Sequence, residues 1–175
     1  TGTGSLELTG AGASSIILIS GTNGYAGGTT LGGSATLRLG SDTALGTGAL
    51  TIQGGTLDSA AARNIANPLV IANSFTMGTA ASGTGSITCA GNVSLTANST
   101  ITIATAGVLT LNGVINDGAG NYAITKAGAN TLALGGANTF DGGVAVSAGT
   151  LSLGNDAALG TGALGWLLFH EPRTA

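Results

Sequence analysis

The chain has 175 residues, of which 6% are charged and 3% aromatic, with 33 glycines, a net charge of −3 and a mean hydropathy of +0.45. Such a chain can bury roughly 70% of its unfolded surface in one core, and it is too apolar and too weakly charged for disorder. Its cations are Arg38, Arg63, Lys126 and Arg173, spread along the sequence, so no basic patch exists for a nucleic-acid backbone.

From Gly2 the chain reads GTGSLEL, a glycine corner followed by an alternating Leu-Glu-Leu strand, and the same corner returns at Gly46, Gly83 and Gly160. Gly-Thr-Gly permits a tight bend, after which alternating apolar residues drop one face into a core. The chain starts without Met or a signal peptide, as a processed chain or an excerpt does.

Residues 15–31 give SIILISGTN, a Gly-Tyr-Ala-Gly-Gly turn and Thr29-Thr30-Leu31. Next comes TLRLGSDTALGTGAL over residues 36–50, which returns as TLSLGNDAALGTGAL over residues 150–164, differing at three positions. The match reaches back to Asn23 with Asn138, Tyr25 with Phe140, and Gly27-Gly28 with Gly142-Gly143, with a one-residue offset between Leu31 and Thr36 that is expected to lie in a loop. Self-similarity at fixed spacing marks a stacked repeat architecture.

Residues 59–64, SAAARN, alone have helical composition and are too short for a helix. After Pro68 come short alternating segments at 69–71, 75–77, 86–89, 93–95, 100–103, 108–111, 114–115 and 123–125, separated by Gly, Asn, Ser or Asp. Many short strands at even spacing, with few aromatics to fill a sandwich core, predict an all-β, right-handed parallel β-helix, a β-solenoid of six to eight coils. Leu37, Leu39, Leu132, Leu134, Leu151 and Leu153 are expected to point inward in columns. The lone Cys89 is expected to fill a small core site.

Residues 109–153 read LTLNGVINDGAGNYAITKAGANTLALGGANTFDGGVAVSAGTLSL. They resemble the autotransporter-associated β-strand repeat, with its T-K-x-G-x-x-T-L-x-L-x-G-x-N-x-[YF]-x-G-G and A-G-T-L-x-L motifs. The earlier copy lacks the Thr-Lys pair and has Gly33-Ser34-Ala35 in place of Ala-Gly. The resemblance implies a β-helix from the exported passenger or stalk of a large bacterial surface protein, and it carries over no catalytic residue. Repeat copies are expected near 12–57 and 126–164, with a spacer at 58–125.

Residues 165–175, GWLLFHEPRTA, fall outside this pattern and hold the only Trp and the only His. They read as an atypical tail: a non-native end, a cap, or a docking strand, with Trp166, Leu167, Leu168 and Phe169 as assembly residues. The longest apolar run, 164–169, is far shorter than the ~18 residues of a membrane helix, so no membrane insertion of this segment is expected.

The carboxylates are Glu7, Asp42, Asp58, Asp117, Asp141, Asp156 and Glu171. Asp42 and Asp156 are equivalent and read as turn residues that cap backbone amides. Polysaccharide-cleaving chemistry needs two acids together, or an acid beside a base, for which Lys126 with Asp141 is the one pair to argue; a triad would rest on His170 in the tail. Residues 116–121 lack the repeated Gly-Gly-x-Gly-x-Asp of a calcium solenoid. The expectation is a module with no catalytic, cofactor-binding or metal-ligating residues, a rigid spacer or fibre segment at the bacterial surface, associating with itself head to tail or with a cell-surface polysaccharide. The alternatives are a carbohydrate-binding or carbohydrate-cleaving β-helix, and ice binding by threonine rows.

Overall fold

The structure, a computed structural model, describes residues 2–10, 16–78, 85–104 and 106–166. In its first part lie β1 (Leu6–Gly10), β2 (Ile16–Ile19), β3 (Thr29–Leu39), β4 (Leu50–Ser59) and β5 (Arg63–Ile65). The middle holds β6 (Leu69–Ile71), β7 (Phe75–Met77), β8 (Ile87–Cys89), β9 (Val93–Leu95), β10 (Ser99–Ile103), β11 (Leu109–Leu111) and β12 (Ile115–Asn116). The last part has β13 (Ile124–Ala127), β14 (Thr131–Leu134), β15 (Val144–Val146), β16 (Thr150–Leu153) and β17 (Leu164–Trp166).

Strands pair with the strand one coil away, always in parallel, so the chain climbs as a β-solenoid of about seven coils. Three faces result. The first runs β1, β3, β4, β6, β9, β12; the second runs β2, β3, β4, β7, β10, β13, β15, β17; the third runs β5, β8, β11, β14, β16. Strands β3 and β4 belong to two faces because each turns the corner without ending, which merges those faces into one twelve-stranded sheet beside the five-stranded third. The corner in β3 is a register shift between Gly33 and Thr36, with Gly33 at φ 61°. The one-residue offset between the repeat copies therefore sits at a bulge inside a strand, not in a loop: a bulge absorbs an extra residue while the flanking ladder continues.

Alternation decides what is buried. Leu8, Leu31, Ile52, Ile71 and Leu95 stack on the first face, and Ile65, Cys89, Leu111 and Leu134 on the third, each at most 4% exposed. On the second, Leu37, Leu57, Met77 and Ile103 form one column, and Phe75, Ile101, Lys126 and Val146 another. A lysine thus occupies a core position. Four of the six leucines expected inside are buried; Leu151 is half-buried and Leu153 is 45% exposed. Both point along their columns, in register with Leu132 and Leu134, but no coil of the third face stacks above β16 among the described residues.

The two repeat copies make the same cross-coil bonds. Asn23 Nδ2 donates to Ala44 O at 2.8 Å and Asn138 Nδ2 to Ala158 O at 2.6 Å. The Thr47 amide donates to Tyr25 O, and the Thr161 amide to Phe140 O, both at 3.0 Å. Yet the copies occupy different faces. Thr29 opens a first-face strand whose successors start at Leu50, Leu69, Val93 and Ile115, after which the Thr139 amide bonds Ile115 O; its counterpart Val144 lies one face further on. The repeat therefore spans about five and one-third coils.

Candidate functional site

Corner polar side chains stitch one coil to the next. Ser74 Oγ accepts the Thr100 amide at 2.9 Å, Asn92 Oδ1 the Val114 amide at 3.1 Å, and Asn98 Oδ1 the Ala123 amide at 2.8 Å. Asp42 does the same, its Oδ1 accepting from the Asn64 amide at 3.2 Å, so it caps an amide as expected, one coil away rather than in its own turn. Its counterpart Asp156 is exposed, and there Asn155 Oδ1 takes the Ala157 amide at 2.9 Å. Asp117 is 8% exposed and holds the Tyr122 amide at 3.1 Å and the Asp141 amide at 3.4 Å through Oδ2, so this carboxylate fixes a turn.

Lys126 and Asp141 are not brought together. Lys126 is fully buried and its Nζ donates to the carbonyls of Ala127 and Gly128 at 2.8 Å and of Ala148 at 3.0 Å, while Asp141 is exposed. Burial pushes the Lys126 pKa below the ordinary lysine value; three carbonyl acceptors favour the charged form and oppose that shift. The signal was the alternation Ile124-x-Lys126, which continues the inward set. The salt bridge among the described residues is Arg38 Nε to Asp58 Oδ2 at 2.8 Å, with Asp58 fully buried. Sequence reasoning missed it, although TLRL and TLDS at 36–39 and 56–59 already place both charges at one register position. Cys89 lies in a core column and burial pushes its thiol up to about 12, which makes it a packing residue and not a nucleophile.

Among the described residues no group of three or more His, Cys, Asp or Glu converges on a metal site. A cavity of about 300 Å³ beside the first repeat copy includes Asp42 as its one carboxylate, with Thr43, Thr47 and Asn67. The larger one, about 560 Å³, is an open trench on the second face, lined by Thr36, Thr56, Thr76 and Thr102 with Phe75 and Gly55 among others. Those four threonines are in mutual register across four successive coils.

The proposed assembly residues are only partly placed. Trp166 closes β17 in register with Val146, whereas Leu167, Leu168 and Phe169, and His170 with them, lie outside the described residues.

No curated protein and no solved structure matches the chain. The family model of the passenger-associated-transport-repeat matches residues 124–153, which contain β13 to β16, the buried Lys126 and the Asn138 and Phe140 corner. The resemblance read from residues 109–153 is thereby supported: over residues 124–153 the chain matches a repeat of autotransporter passengers, and the solenoid that contains it is read as a passenger β-helix region.

Proposed function

We propose that this chain is a non-enzymatic, rigid β-helical spacer of an exported or cell-surface bacterial protein. The observation that carries the reading is the use made of its chemically competent groups. Asp42, Asp58, Asp117, Lys126 and Cys89 are engaged in coil-to-coil bonds or packing, which supports a scaffold rather than a reaction centre. Seven coils at the strand spacing of ~4.8 Å make a rod of roughly 34 Å. The test is display: fused ahead of an outer-membrane translocator with an epitope inserted after Gly118, the folded segment is expected to present the epitope on intact cells. Duplicating it is expected to move an N-terminal label outward by about its own length. Cleavage of a polysaccharide by the purified chain, or an epitope that never reaches the surface, would overturn the reading.

A second reading, head-to-tail self-association, draws on β17, whose Val146–Trp166 register carries the start of the tail along the second face as an added strand. The partner is a second copy, meeting the edges of β1 and β2, each of which pairs with β3 alone among the described residues.

A further inference from the structure

We infer that Lys126 is an internal latch: its ammonium ties the corners of two successive coils, so that the coil of β15 and β16 opens and closes as one unit on the coil of β13 and β14. This role goes beyond the spacer reading and does not depend on it. An ammonium has three N–H donors, and all three are used here. Two go to its own corner, to the carbonyls of Ala127 and Gly128 at 2.8 Å, and the third crosses to the Ala148 carbonyl at 3.0 Å, in the corner between β15 and β16. The side chain is fully buried, in the column between Ile101 and Val146. If the upper corner lifted alone, a charged donor would lose its acceptor while still out of water, which is the costly case. The ammonium regains water only when β15 leaves as well, so corner and strand are coupled.

The first repeat copy shows what stands there without a lysine. Leu8 faces Leu31 as Lys126 faces Val146. Beyond Leu8 the pairing runs further into the corner, Thr9 with Gly32 and Gly10 with Gly33, and resumes at Ile16 with Thr36. Beyond Lys126 it stops, and it resumes at Thr131 with Thr150. The ammonium thus supplies a cross-coil bond at the corner where the backbone pairing is broken. It also fixes register. Alternation alone permits β15 to slip by two residues, with Val144 over Lys126, but such a slip would move the Ala148 carbonyl by about 6.6 Å along the strand and off the ammonium. Each coil of a solenoid is held by its neighbours alone, so a tie of this kind sets how readily the junction opens.

The experiment is native-state hydrogen exchange of the intact chain, read by NMR. The reporters are the amides of Ser147, Thr150 and Gly154, which donate to the carbonyls of Lys126, Asn130 and Leu134 one coil below, and the references are those of Ala90 and Asn112, which donate to Ile65 and Cys89. Lys126→Met fills the column without the donors. In that variant all three reporters are expected to exchange about ten-fold faster or more, as the loss of a charge-assisted tie between coils implies, while the references keep their rates. Unchanged reporters, a rise confined to Ser147, or an equal rise at Ala90 and Asn112 would each overturn the latch. Lys126→Cys in a Cys89→Ala background, aminoethylated while unfolded and then refolded, keeps the test decisive if Lys126→Met does not fold. The modification restores an ammonium at nearly the same reach, so protection at Ser147, Thr150 and Gly154 is expected to return, and its failure to return would also overturn the inference.

Discussion

At Gly46 and Gly160 the backbone sits at φ 60° and 67°, and a Cβ at either position would collide with a carbonyl oxygen one coil below, that of Tyr25 or of Phe140. Gly118 has nearly the same φ, 62°, with nothing within 4 Å of its Cβ direction. The three separate conformational strain from steric conflict. Gly118→Ala should cost about 1–2 kcal/mol, and Gly46→Ala about 2–5 kcal/mol because overpacking adds to the strain; equal costs in urea unfolding would mean that the repeat's glycine is kept for φ alone. Cys89 yields a pH prediction. Its folded pKa is raised from 9.0 to about 12, so between those values the folded chain holds a proton that the unfolded chain has lost. Its contribution to stability is therefore constant below pH 9 and falls above it, by about 1.4 kcal/mol per pH unit. Lys126 acts in the opposite sense, since a lowered base pKa makes stability rise with pH through that lowered value. Comparison of the chain with its Cys89→Ala variant cancels the lysine, and the variant should lose less stability between pH 9 and 11; parallel curves would place the thiol in water.

Along each strand the contribution of a leucine depends on whether a coil lies on both sides. Leu134 is flanked in its column by Leu111 and Leu153, whereas Leu153 has a neighbour on one side. Leu134→Ala should cost about 2–5 kcal/mol and Leu153→Ala less than about 1.5 kcal/mol, because a half-exposed side chain leaves no closed cavity; equal values from chemical denaturation would show that β16 is covered in solution. The strands between residues 69 and 125 were legible because each alternates strictly and small residues, Gly, Asn, Ser or Asp among them, separate it from the next, and the structure places them within one or two residues of their expected bounds. The corners were not. Glycine steps such as Gly33-Ser34 and Gly54-Gly55 are ordinarily turn signals, but parallel stacking of like corners keeps the ladder intact through positive-φ glycines, so β3 and β4 run on. Lys126 was misread for a related reason: composition marks lysine as a surface residue and outweighed the alternation after Ile124, whereas the register with Phe75 and Ile101 shows that its stem replaces an apolar side chain while its ammonium reaches carbonyls at the corner. The trench was legible in residue type but not in place, since threonine rows cannot be aligned until coil lengths are known.

For the molecule as a whole, stability is a sum over neighbouring coils, and the terminal coils have the weakest support. Among the described residues, Ile16, Leu18, Leu153 and Leu164 are the exposed large hydrophobic ones, all on strands near the two ends of the described solenoid. The proposed self-association through those ends would make a heterologous contact that propagates. Electron microscopy of the chain with and without residues 165–175 tests it: fibres that vanish with the deletion are expected, and monomers in both samples would rule the contact out. The one-third coil left over in each repeat acts at the same scale. Iterated along one axis, the repeat unit becomes a screw whose successive copies look out in three different directions, and only the fourth faces the way the first does. A surface patch carried by every unit would thus surround the rod instead of lining one side of it, so a fibre of such units could engage a meshwork from any angle, with its contacts in one direction spaced by three full repeats.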